Sequence, residues 1–268
     1  LDKLILKKQN FLMNLCINKE EINTIDGKLY NLIIILQQGV NMMKEYLKRQ
    51  IDIFSQEENK KLEKLNVMIA GTGGLGTNQA QQLVRMGINK IYLYDNDKIE
   101  VTNLNRQLLY KRKDIGQKKV DIAKKALDKL GLDTEIVAVN ETINNNTKVP
   151  DDVHLIFDAL DNFETRFILE DLAFEYNIPF IHGGIERWYG QIAVIIPGRT
   201  ARLKDIFSGA EKNNDTPSII SPAVSIIASL QVIEGIKVYL DKDNVLKNKL
   251  LLIDLDSCNI EKIDINNS

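Results

Sequence analysis

Gly71-Thr72-Gly73-Gly74-Leu75-Gly76 follows the apolar run Val67–Ala70 and precedes a stretch with helical character. A Gly-x-Gly-x-x-Gly run in that context lets the backbone approach a phosphate or sugar closely, and the helix start behind it favours negative charge. Gly71, Gly73, Gly74 and Gly76 are therefore candidate nucleotide contacts, with a plain tight turn as the bland alternative. Asp95 lies 24 residues after Gly71, at the end of the next apolar run. A carboxylate there can accept hydrogen bonds from both hydroxyls of a ribose. To this point NAD, FAD and ATP fit equally.

The residues that follow separate them. Asp95 to Gln107 reads Asp-Asn-Asp-Lys-Ile-Glu-Val-Thr-Asn-Leu-Asn-Arg-Gln. A dehydrogenase has no need of this segment, whereas a triphosphate does. Asn103 and Arg106 are three apart and share a face on a helical turn. Arg106 offers a fork of donors to phosphate oxygens. Lys119, thirteen residues on, opens a helix and brings a point charge to the same phosphates. Asp161 stands just beyond the apolar run Val153–Phe157, at the end of the sheet where doubly wound folds bind ligands. With no base or metal-binding cluster beside it, its natural role is to hold Mg²⁺ through one carboxylate.

These residues need elements to position them. Alternating short apolar runs and amphipathic stretches predict strands over 67–70, 91–94, 135–139, 153–157 and 179–182. Helices fall over 77–86, 117–130 and 163–176. Ser55 followed by Glu57 and Glu58 marks a helix start after a helical stretch from Lys44. Such alternation predicts an α/β fold, a Rossmann-like parallel sheet with helices on both faces. After Gly183-Gly184 the pattern changes. A β-rich stretch spans 188–196, a long polar loop 197–221, an apolar helix 222–240, and a hairpin 250–255 with 260–265. The second half therefore extends the sheet as a mixed or antiparallel part. Residues 1–43 differ in composition and form an N-terminal helical extension, and 44–268 form one domain.

Four motifs resemble the ThiF/MoeB/HesA family, bacterial and archaeal relatives of ubiquitin-activating enzymes. They are the glycine loop, Asp95-x-Asp97, Thr102-Asn103-Leu104-Asn105-Arg106-Gln107, and Asp161-Asn162 with Arg166 four residues later. Gly116-Gln117-Lys118-Lys119 matches the family's Gly-x-x-Lys. Arg49-Gln50 resembles an Arg-Gln element through which one protomer reaches into its neighbour's ATP site. The likeness covers about residues 46–255. It implies a homodimer that binds ATP and Mg²⁺ and adenylates the terminal carboxylate of a small ubiquitin-like protein ending in Gly-Gly. By resemblance Asp95 holds ribose, Asn103, Arg106 and Lys119 hold phosphates, Asp161 holds Mg²⁺, and Arg49 completes a partner's site. A non-catalytic partner subunit, a peptide-adenylating enzyme and an NAD-dependent oxidoreductase are the competing readings.

Departures and composition set limits. The family's paired Cys-x-x-Cys motifs are missing, since Cys16 and Cys258 are the only cysteines, so no structural zinc is expected. The loop before the 222–240 helix reads Thr216-Pro217-Ser218-Ile219-Ile220-Ser221, without the cysteine many members carry there, so a thioester step is unsupported. His182 reads as a satisfied core histidine. Trp188 and Tyr189 fit either packing or contact with a partner's tail. A net charge of -2 argues against nucleic acid, and the apolar run Leu32–Leu36 is far below the roughly 20 residues of a membrane span. With no secretory pattern at the start and few cysteines, a reduced cytoplasm is expected.

Overall fold

A computed structural model describes residues 45–209 and 218–265; the helical extension proposed for residues 1–43 lies outside them, as do Cys16 and residues 210–217. A compact unit begins at Arg49. Within it, Ser55 caps helix α1 (Gln56–Leu62): its hydroxyl accepts from Glu58 N–H, and the Glu58 carboxylate accepts from Ser55 N–H. This satisfies two backbone donors at the helix start. In the helical stretch expected upstream, the described residues show helix at Glu45, turns over 46–50 and a 3₁₀ turn, Ile51–Ile53.

Strand β1 (Asn66–Ala70) is buried along its whole length. Helix α2 (Gly74–Arg85), strand β2 (Lys90–Tyr94), helix α3 (Lys119–Asp128) and strand β3 (Glu135–Val139) follow. Strand β4 (Leu155–Asp158), helix α4 (Phe163–Glu175), strand β5 (Phe180–Glu186) and strand β6 (Tyr189–Ile195) come next. The chain ends through a short helix α5 (Leu203–Ile206), the long helix α6 (Ser221–Tyr239) and strands β7 (Lys249–Asp254) and β8 (Asn259–Asp264). One eight-stranded sheet results, in the order β3-β2-β1-β4-β5-β6-β7-β8. Strands β1 to β5 run parallel, and β6, β7 and β8 add antiparallel neighbours. The expected hairpin is β7–β8.

Side-chain alternation along the strands divides the core into two layers. Val67, Ile69, Leu155 and Phe157 point to one cluster, joined by Leu83 and Val84 of α2, Val120 and Ala123 of α3, and Val224, Ile227 and Ala228 of α6. Met68, Ala70, Ile156 and Phe180 point to the other, joined by Leu169, Leu172 and Ala173 of α4. Helices thus cover both faces, which is why β1 and β4 are apolar throughout instead of alternating. Helix α6 is long and apolar enough, by length and composition alone, to cross a membrane. Half of that apolar stretch is buried within the protein, where it packs on α2 and on strands β4 to β6.

Three expectations need correcting. Helix α2 begins at Gly74, three residues earlier than Thr77, because two loop glycines belong to its first turn. Strand β5 does not stop at His182 but runs through Gly183 and Gly184 to Glu186, paired with β6 along its length. Gly183 leaves the space that the Gln231 side chain of α6 fills, so glycine there marks close packing and not the end of a strand. The polar stretch after Ile196 also contains α5, whose start is held by the buried Glu170 carboxylate accepting from Leu203 N–H.

Candidate active site

Sheet order fixes where a ligand can sit. From β1 the chain proceeds outward through β2 to β3, then returns to the other side of β1 for β4. At such a reversal the loops after the two neighbouring strands diverge and leave a crevice at their carboxyl ends. The glycine loop follows β1, the Asp95 segment follows β2, and Asp161 follows β4, so three of the sequence motifs meet at that edge.

The glycine loop is shaped by contacts that exclude side chains. Gly71 has φ +98, and a Cβ on it would lie 2.5 Å from the Ala159 carbonyl oxygen. A Cβ on Gly76 would fall 1.9 Å from the Gly71 carbonyl oxygen. The loop therefore packs directly on the chain leading from β4 to Asp161. Asp95 fastens its other side: Oδ2 accepts from Thr72 N–H at 2.7 Å and from the Thr72 hydroxyl at 2.9 Å, while Oδ1 accepts from Asp97 N–H at 2.8 Å. Tyr110 braces it from a third direction, its hydroxyl donating to the Thr72 carbonyl at 2.7 Å. Burial, first among the causes, pushes the Tyr110 phenol well above its ordinary value, so it remains a donor. Thr72 and Tyr110 were not singled out from the sequence, because nothing local to either residue announces a contact across 38 positions.

Arg106 and Gln107 approach the same loop. Arg106 lies across Gly74, with Cγ and Cδ 3.5 and 3.6 Å from where a Cβ would stand, and Gln107 lies beside Gly73, its Nε2 3.7 Å from the corresponding position. Arg106 Nη1 donates to the Thr102 carbonyl at 3.1 Å and to Asn105 Oδ1 at 3.0 Å. Gln107 is buried, and its Oε1 has no hydrogen-bond partner. Lys119 opens α3 as expected and is buried, its ammonium 2.7 Å from Asp97 Oδ2. Asn103 is buried and its Oδ1 accepts from Glu100 N–H at 3.0 Å, capping the 3₁₀ turn Val101–Asn103. The Asn103 carbonyl accepts from Arg106 N–H at 3.1 Å and from Gln107 N–H at 3.0 Å, so residues 103 and 106 lie on one helical turn as expected. Thr102 and Asn105 are exposed.

Asp161 is exposed, and its Oδ1 accepts from Asn162 Nδ2 at 3.1 Å. Asn162 also caps α4, its Oδ1 accepting from Thr165 N–H at 2.8 Å. Among the described residues no group of three His, Cys, Asp or Glu side chains could hold a metal by itself. A single exposed carboxylate fits Mg²⁺ that takes its remaining ligands from phosphate and water. His182 is fully buried with Nδ1 2.7 Å from Asp158 Oδ2, so it belongs to the core as the sequence suggested. Arg49 is exposed, and its neighbour Gln50 donates to the Met86 carbonyl at 3.0 Å, at the far end of α2 from the glycine loop.

Fold and site together define an α/β protein of Rossmann type with a glycine loop and a cationic segment at one sheet edge. The chain belongs to the ThiF family, whose sequence profile matches residues 47–268. It is similar to the sulfur carrier protein ThiS adenylyltransferase of Bacillus subtilis, with 35% identity over 185 residues, 66% of this chain and 55% of that protein. It spans only about half of that relative. A sulfur carrier protein adenylyltransferase of Thermus thermophilus is 30% identical over 221 residues, 78% of this chain and 82% of that protein. Among solved structures, E. coli MccB with ATP superposes with a TM-score of 0.70 at 26% identity, covering 79% of this chain and 66% of that one.

Proposed function

We propose that the protein is an ATP-dependent adenylyltransferase that activates the C-terminal carboxylate of a small ubiquitin-like sulfur-carrier or modifier protein. What supports this reading is that Arg106 packs on Gly74 of the glycine loop, Lys119 pairs with Asp97 in the Asp95 segment that fastens the loop, and Asp161 follows Ala159, on which Gly71 packs. A hydride-transfer enzyme would have no use for that set. A non-catalytic subunit would be expected to have lost one of them, and all three are present. The ThiS-type relatives support the same chemistry.

A carboxylate is ionised at neutral pH, so its attack on the α-phosphorus needs no general base. The new bond joins a carboxylate oxygen to that phosphorus, the bond to the bridging oxygen breaks, and pyrophosphate leaves. Catalysis is then positioning and charge stabilisation. Asp95 orients the ribose, exchanging its hold on Thr72 for the sugar hydroxyls. Arg106 and Lys119 take the phosphate charge, Lys119 by turning from Asp97. Asp161 would hold Mg²⁺, which would neutralise part of the triphosphate charge.

The homodimer belongs to the same proposal. Helix α2 has 12 residues, so it separates Gln50 from the glycine loop by about 18 Å. Arg49 is therefore badly placed to serve its own pocket, which favours service in a neighbour's. A short peptide as carboxylate donor is the second reading, favoured by the likeness to MccB, whose solved structures include a complex with MccA.

ATP–pyrophosphate exchange with a panel of Gly-Gly-ended carrier proteins and short peptides tests both readings. Exchange with a carrier and none with peptides supports the first. Asp161→Ala and Arg106→Ala should each lower exchange by about 100-fold or more, the scale of losing one charge-stabilising group, while unfolding as wild type does. Near-wild-type exchange in either variant would remove this assignment.

A further inference from the structure

The residue in front of Asp161 is held at both of its backbone polar groups. Leu160 N–H donates to Asp158 Oδ1 at 3.0 Å, and the Leu160 carbonyl accepts from Arg166 Nη2 at 2.6 Å. Asp158 and Arg166 are themselves an ion pair, Nε to Oδ2 3.3 Å, with Asp158 fully buried and Arg166 nearly so. The two ends of one buried pair thus grip the two ends of one residue, and that residue is the immediate neighbour of Asp161. Its other neighbour, Asn162, is fixed as the cap of α4 and hydrogen-bonds the Asp161 carboxylate.

The pair is anchored in turn. His182 Nδ1 meets Asp158 Oδ2 at 2.7 Å. Arg166 Nη2 also donates to the Gly183 carbonyl at 3.2 Å, and its guanidinium stands over the Phe163 ring at 5.2 Å. Gln231 of α6 donates to the Asp158 carbonyl at 2.8 Å and accepts from Gln79 of α2 at 2.7 Å. The network therefore runs from the helix behind the glycine loop to the residue before Asp161. A buried ion pair adds little net stability over a well-packed apolar substitute, because desolvation offsets the attraction. Its contribution here is geometric.

We infer that Asp158 and Arg166 are positioning residues for Asp161, setting the carboxylate where a nucleotide-bound divalent cation meets it. This rests on the adenylation reading. The measurement is the gain in affinity for the ATP analogue AMPCPP on adding Mn²⁺ in place of EDTA, read by equilibrium calorimetry. Wild type should show a clear gain, and Asp161→Ala should lose it. Absence of any gain in wild type would count against Asp161 as a metal carboxylate, and so against the parent reading.

Arg166→Lys keeps the charge but loses the fork, and should cut the Mn²⁺ gain by about 10- to 100-fold, the range for residues that orient a metal ligand. Metal-free affinity should stay within about two-fold. In the Asp161→Ala background the same change should cost nothing further, since no carboxylate remains to position. An unchanged gain in folded Arg166→Lys overturns the inference, as does an equal loss with and without metal. Asp158→Asn provides the same measurement if Arg166→Lys does not fold, and failure of both to fold would assign the pair to structure alone.

Discussion

Neutral His182 satisfies both of its ring nitrogens: Nδ1–H donates to Asp158, and Nε2 can accept from Gln191 Nε2, 3.4 Å away. Burial, the largest influence, pushes the imidazole below its ordinary value of 6.5, against the opposing pull of Asp158. The unfolded chain takes up a proton as pH falls below that value, while the native state resists until lower pH. The sign follows: stability associated with His182 is complete above about 6.5 and declines as pH drops beneath it. Unfolding by urea at about pH 7.5 and about pH 5.5 should show a smaller loss for His182→Gln than for wild type. Identical losses would mean that His182 does not titrate in this way.

A glycine in a helix interior usually gains stability on becoming alanine, by roughly 1 kcal/mol. Gly76, in the first turn of α2, should do the reverse, because the added methyl would meet the Gly71 carbonyl oxygen at 1.9 Å. That oxygen is backbone in a loop already pressed on Ala159, so it has little room to give. Gly76→Ala is expected to cost about 1–3 kcal/mol in chemical denaturation and to weaken ATP binding by about 10-fold or more, a loss of roughly 1.4 kcal/mol. A variant as stable as wild type and binding ATP equally would show that the loop is not held as tightly as its geometry indicates.

Assembly is the property of the whole molecule that Arg49 can report. Arg49→Ala should abolish pyrophosphate exchange by itself, and mixing it with Asp161→Ala should restore part of the activity. Each mixed dimer would hold one pocket with both residues intact, a consequence of two-fold symmetry. Subunit exchange is verified separately with labelled chains. If chains exchange and no activity returns, Arg49 acts within its own chain or elsewhere.

Local patterns were enough to determine the parallel first half, its helices on both faces and the antiparallel extension. Hydrophobic periodicity, glycine spacing and caps such as Ser55 act over a few residues, and the sequence displays them directly. The capping duty of Asn103 was not legible, because the bond from Glu100 N–H to its Oδ1 forms only once the chain turns at Val101–Asn103. Nor was the run of β5 through Gly183, which depends on Gln231 arriving from α6. The grip of Asp158 and Arg166 on Leu160, with His182 beneath, arises only when β4 and β5 lie side by side. Tyr110 reaches Thr72 for a similar reason. Such contacts join residues far apart along the chain, and their geometry is decided by sheet order and helix packing, which no short window of sequence contains.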